Sequence, residues 1–111
     1  MAKQKRQTDE LARVFRVLGD PTRLRIWREL QKGEMNVTEL CSRLKAPQPT
    51  VSHHLGIMRM SQLVSNRRDG KEIHYSLNDL TKDAAGRALR SLVKSSGVVQ
   101  IGPVVFALAK A

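Results

Sequence analysis

A small, mainly α-helical domain carrying one β-hairpin is predicted by three features of the 111-residue chain. Apolar residues recur at helical spacing in several short segments, each bounded by capping residues or by Gly and Pro. Two strand-like segments, LVSNRR and KEIHYSL, are joined by Asp69-Gly70, a strong hairpin signal. The length suits one domain, and 41% hydrophobic against 27% charged residues is the balance of a chain with an ordinary soluble core.

Residues 1–7 (MAKQKRQ) are polar and basic without periodicity, and read as a flexible basic arm. From Thr8, an N-cap candidate, Leu11, Val14, Phe15 and Leu18 form the apolar stripe of a first helix that Gly19 stops. Asp20 caps a second helix with Pro21 in its first turn, and Leu24, Trp27 and Leu30 are expected in the core before Gly33 ends it. A third helix starts near Asn36 or Thr38 and turns Val37, Leu40, Cys41 and Leu44 inward. KAPQP then breaks the pattern, and a fourth helix begins with Pro49 near its start. The pair from Val37 to Met60 has the size of a helix-turn-helix. After the hairpin, Asn78 or Asp79 caps a fifth helix striped by Leu80, Ala84, Ala85, Ala88, Leu89, Leu92 and Val93. The expected division is therefore an arm at 1–7, a domain at 8–97, and an apolar tail at 98–111 broken by Gly102-Pro103.

Charge and cysteine usage narrow the function. Twenty Lys and Arg against ten Asp and Glu leave a formal charge of +10, which suits a polyanionic partner, nucleic acid before anionic membrane. One cysteine excludes an intrachain disulfide, and the N-terminus has no signal-peptide pattern, so a cytoplasmic setting is expected. The longest apolar run, VVFALA, is too short to span a bilayer. No Gly-rich phosphate loop, nucleophile set or metal-ligand cluster marks an enzyme or calls for a cofactor.

Four helices, two strands and a fifth helix, with a basic tip on the hairpin, is the order of a winged helix-turn-helix: the helix at 48–60 enters the major groove of double-stranded DNA and the wing at 64–77 lies alongside. Gln48, Thr50, Ser52 and His53 offer amide, hydroxyl and imidazole groups suited to base edges and phosphates, while Val51, Leu55 and Met58 lie on the face turned to the core. Arg67, Arg68 and Lys71 surround the wing turn and can reach the minor groove or phosphates. Lys45 before the turn, Arg59 at the far end of the reading helix, and Lys3, Lys5 and Arg6 in the arm are further candidates for phosphates. Arg13, Arg16, Arg23, Arg25 and Arg28 read instead as solvated faces of the first two helices.

Three segments together, LGDPTRLRIW, QPTVSHHLGIM and RRDGKEIHYSL, resemble the ArsR/SmtB family of bacterial winged-helix repressors over roughly residues 10–80. The resemblance implies a homodimeric repressor that binds a palindromic operator, pairs through its first and last helices and is released by an effector, which the sequence does not name. It also implies base-reading positions at Gln48, Pro49, Ser52 and His53. Pro49 stands where Ser is frequent in the family and brings neither N–H nor hydroxyl. His54 matches a position turned toward the body of the domain, and Arg23 one that fixes the join of the first two helices. The stripes on the first and last helices agree with pairing, since they present more apolar surface than one thin domain covers.

The family's thiolate metal sites use Cys-x-Cys on the third helix, and here Arg43 stands where the second thiolate would be. Its carboxylate-histidine sites lie on the last helix, which has Asp79 and Asp83 but no histidine. Neither familiar metal site is therefore expected. Cys41 reads as a small core residue in preference to a redox switch. The tail at 98–111 is open to several readings: cover of a dimer groove, an apolar effector site, a protein dock, or a strap over the chain's own core. A winged-helix module that binds only proteins is the rival to the DNA reading, and the +10 charge favours DNA.

Overall fold

A computed structural model describes residues 2–78 and 98–107. The chain divides into two units, Arg13–Asp79 and a second formed by residues 1–12 with 80–111. The elements in order are α1 (Ala2–Leu18), α2 (Pro21–Leu30), β1 (Met35–Asn36), α3 (Val37–Leu44), α4 (Gln48–Met60), β2 (Val64–Asp69), β3 (Glu72–Leu77), β4 (Val98–Ile101) and β5 (Val104–Ala107). The expected fifth helix lies outside the described residues. Among those described, no helix is long and apolar enough to cross a membrane.

Local chemistry sets most boundaries. Asp20 caps α2 by accepting from the Arg23 amide at 3.0 Å, with Pro21 in the first turn where its missing N–H costs nothing. A capping box opens α3: the Glu39 amide donates to Asn36 Oδ1 at 2.8 Å, and the Asn36 amide donates to Glu39 Oε1 at 3.3 Å. Lys45 takes the left-handed conformation after α3 (φ 52°), and Pro47 precedes α4, so the chain turns sharply between the two helices. Gly70, at φ 63°, allows the tight turn that pairs Asp69 with Glu72 and sets the wing register through Val64 with Leu77.

Several expectations are corrected. Residues 2–7 are helical and continuous with α1, so no cap forms at Thr8. Ala, Lys, Gln and Arg are all good helix formers and nothing in that stretch stops the turn. On α1 the buried positions are Leu11, Val14 and Val17, whereas Phe15 is exposed. On α2 the core face is Ile26 and Leu30, with Trp27 half-buried and Leu24 exposed. Apolar residues at 24, 26, 27 and 30 permit two stripes, and tertiary packing selects one. Cys41 is only half-buried, at the margin of the Leu40 and Leu44 stripe. The tail contains a hairpin, β4–β5, with Gly102 at φ 56° in a two-residue loop. A third strand was also not foreseen: β1 pairs antiparallel with β3 through Met35 and Tyr75, giving the order β1-β3-β2.

Within the Arg13–Asp79 unit, Ile26, Leu40, Val51, Leu55 and Met58 are wholly enclosed, and Leu63 and Val64 nearly so. This core joins α2, α3 and α4 to the root of the wing, so α4 is held on its apolar side by a packed interior.

The Asp20 cap has a pH signature. The Arg23 amide, with a smaller contribution from the nearby His54 ring, holds the Asp20 carboxyl below its usual range. A lowered folded-state pKa adds stability above the usual carboxylate value, and that stability is lost as pH falls through the lowered value. Asp20→Asn keeps an acceptor but no charge. Its melting temperature is expected below that of the parent at neutral pH, with the gap closing in strong acid; a gap independent of pH would contradict this origin.

Candidate nucleic-acid interface

The thirteen-residue α4 divides sharply into two faces. Val51, Leu55 and Met58 have no solvent exposure, whereas Gln48, Pro49, Thr50, Ser52, His53 and Arg59 are all exposed. Helical spacing accounts for much of this: residues 51, 55 and 58 share one face, Pro49 and His53 lie opposite it, and Gln48, Ser52 and Arg59 run along its border beside Leu55. Five of the six sequence-chosen residues of α4 can donate or accept hydrogen bonds, and Lys45 is exposed just before the turn. Met60, exposed at the end of the same helix, was not singled out by the sequence.

His54 is turned the other way. Its Nδ1 lies 3.3 Å from Nη1 of Arg23 and 3.8 Å from the Asp20 carboxylate, and Arg23 Nε donates to the Val17 carbonyl at 2.6 Å. Arg23 therefore ties the end of α1, the cap of α2 and the inner edge of α4 together, which fixes the orientation of the reading helix. Fixed recognition groups lose less freedom on binding.

The wing does not present its cations as one cluster. Alternation along β2 places Arg67 on the face with Ser65 and Asp69, and Arg68 on the opposite face with Val64. Arg67 is held by Glu34: Nη2 donates to Oε1 at 2.6 Å and Nε to both carboxylate oxygens at 3.1 Å. This bond lowers the Glu34 pKa and raises that of Arg67. His74, paired with Arg67 in register, lies 3.8 Å from Glu34 and 3.3 Å from Glu72. Arg68 donates to the Gly70 carbonyl at 3.3 Å and, with exposed Lys71, forms the basic tip. Glu34 is the residue sequence reasoning missed, and a partner 33 positions from Arg67 leaves no periodic signal.

A carboxylate on Arg67 competes with any phosphate for the same guanidinium. Glu34→Gln is expected to tighten duplex binding roughly two- to fivefold at low salt and to steepen the salt dependence by about one phosphate contact. Unchanged affinity and slope in salt titrations would show that Arg67 takes no part in binding.

Among the described residues, no three His, Cys, Asp or Glu side chains converge as a metal site, and Asp79 and Asp83 lie outside them. Arg43, where a second thiolate was considered, is exposed on α3 and sits 3.7 Å from Glu29.

A reading helix seated on a helix-turn-helix and flanked by a three-stranded wing defines a winged-helix DNA-binding protein. A model of the bacterial regulatory protein arsR family matches residues 20–66. An uncharacterized HTH-type transcriptional regulator of Methanocaldococcus jannaschii is 39% identical over 77 residues, covering 68% of this chain and 86% of that protein. A transcriptional repressor SmtB homolog of Synechocystis is 40% identical over 73 residues, covering 66% and 55%. Among solved structures, the transcriptional repressor BigR from Xylella fastidiosa aligns with a TM-score of 0.65 at 34% identity, covering 78% of this chain and 86% of that one. The chain belongs to the arsR family of bacterial regulatory proteins, and it is a DNA-binding transcriptional regulator.

Proposed function

We propose that the protein is a homodimeric transcriptional repressor that binds an inverted-repeat operator, with α4 in the major groove and the β2–β3 wing beside it. The observation that carries this reading is the division of α4 into an enclosed apolar face and an exposed polar one. Gln48, Ser52 and His53 read base edges; Thr50, Lys45, Arg59, Arg68 and Lys71 bind phosphates; Pro49 shapes the first turn. Arg67 joins them once released from Glu34.

Pairing of two copies is supported by Phe15 and Leu24, large apolar side chains that are 44% and 43% exposed. A two-fold dimer would set two reading helices about one turn of DNA apart. Repression is supported by the names of the relatives and of the matching structure. Arg43 on α3 supports a signal other than a thiolate-bound metal, and a DNA partner supports a cytoplasmic setting.

The test is selection from a random duplex pool with excess chelator present and the mass of the bound complex recorded. Enrichment of an inverted repeat bound by two copies is expected. General binding without enrichment, or enrichment that needs added metal, would overturn the reading.

A further inference from the structure

Two arginines of α2, Arg25 and Arg28, share a wall with Lys32 from the turn that follows the helix. Arg25, Arg28, Glu29 and Lys32 follow one another at i, i+3, i+4 and i+7, and with Arg43 and Leu44 from the end of α3 they enclose a shallow cavity of about 160 Å³. Four cations face one carboxylate. That carboxylate is already shared: Glu29 lies 3.2 Å from Lys32 and 3.7 Å from Arg43. Arg25 is pinned by donating from Nη2 to the Leu44 carbonyl at 2.9 Å, and Arg28 has no ion pair among the described residues. The cavity thus has a surplus of three positive charges and, in exposed Arg28, a lining guanidinium unpaired among the described residues, the complement of a compact oxyanion.

Its position in the chain says which oxyanion. Leu44 lines the cavity and Gln48 begins the reading helix. Four residues reach at most about 14 Å. The major groove is about 12 Å wide, so a group within that reach of a helix end seated in the groove is close enough to contact the phosphate ridge that borders it. Exposed Lys45 continues the basic surface from the cavity to the turn.

We propose that the α2–α3 cavity is a phosphate-binding site for duplex DNA: it takes one backbone phosphodiester beside the groove that α4 occupies, with Arg28 as the contacting residue and Arg25, Arg43 and Lys32 shaping the field. This rests on α4 as the groove-reading helix. It turns the second helix, taken from the sequence as a solvated face, into a clamp that fixes the angle of α4 on DNA without reading sequence.

The experiment compares the parent with Arg28→Gln and with Arg16→Gln, an equal loss of charge on the exposed side of α1, on a selected site and on a scrambled duplex across salt concentrations. Arg28→Gln is expected to weaken both complexes roughly three- to tenfold and to lower the salt slope by about one phosphate, leaving the ratio between duplexes unchanged. In duplexes carrying single methylphosphonate linkages, one neutralised phosphate at the groove edge should weaken the parent and not Arg28→Gln. Equal behaviour of Arg28→Gln and Arg16→Gln, or a methylphosphonate effect that persists in Arg28→Gln at every position, would overturn the proposal. Protection of the parent, but not of Arg28→Gln, by millimolar inorganic phosphate against thermal unfolding, with DNA binding equal in the two, would assign the cavity to a free anion and also overturn it. Failure of the parent to prefer the selected site would count instead against α4 as the reading helix.

Discussion

Leu55→Ala is expected to destabilise the protein by about 2–5 kcal/mol, enough to leave much of a domain this small unfolded near physiological temperature. Leu55 has no solvent exposure and lies between Val51 and Met58 on the face of α4 that meets the core. Truncation leaves a cavity where α4 rests on its neighbours, and α4 cannot close it without tilting its exposed polar face. Denaturant unfolding followed by circular dichroism should show the midpoint fall. DNA binding at low temperature should fall further than the folded fraction alone explains. The contrast is Met60→Ala, at 81% exposure on the same helix, where a change within about 0.5 kcal/mol is expected. Equal effects at the two positions would mean that α4 is not anchored as described.

The second large effect concerns discrimination. Gln48 opens α4 with an exposed amide, the side-chain group that bonds an adenine edge through two hydrogen bonds at once. Gln48→Ala should cost about 1–3 kcal/mol of preference for the selected site over a scrambled duplex, roughly five- to 150-fold. Its salt slope should not change, because no phosphate contact is removed. Arg68→Ala and Lys71→Ala should do the reverse, weakening every duplex alike and flattening the salt dependence. Competition titrations at several salt concentrations separate the two patterns, and a single shared pattern would contradict the division of roles between helix and wing.

What was legible in the sequence was what neighbours in the chain decide. Asp20-Pro21, a helix start near Asn36, and Asp69-Gly70 rest on contacts within a few residues, and each falls where the residue chemistry places it, although the reciprocal bond from Glu39 to Asn36 was not foreseen. The exposure of Pro49 and His53, opposite Val51, Leu55 and Met58, follows from one helical period. Tertiary choices were not legible. On α2 two apolar stripes were available, and Ile26 rather than Leu24 went inward because α3 and α4 pack on that side. The two-residue β1 exists only through its pairing with β3. Gly102-Pro103 reads as a break in an apolar tail, yet the β-branched residues on either side pair across it. At the site, chemical type and exposure were legible for Gln48, Ser52 and His53. The engagement of Arg67 by Glu34 was not, because it depends on β2 and the loop before β1 meeting in space.

If the exposed face of α4 lies in the major groove of the selected duplex, it shields guanine N7, an atom that faces the major groove alone, and methylation protection reads that shielding. Two protected clusters about one helical turn apart are expected, with loss of protection at particular guanines in Ser52→Ala or His53→Ala. Full N7 reactivity across a bound site would contradict this placement of α4, because the protein would then hold DNA by its backbone or its minor groove.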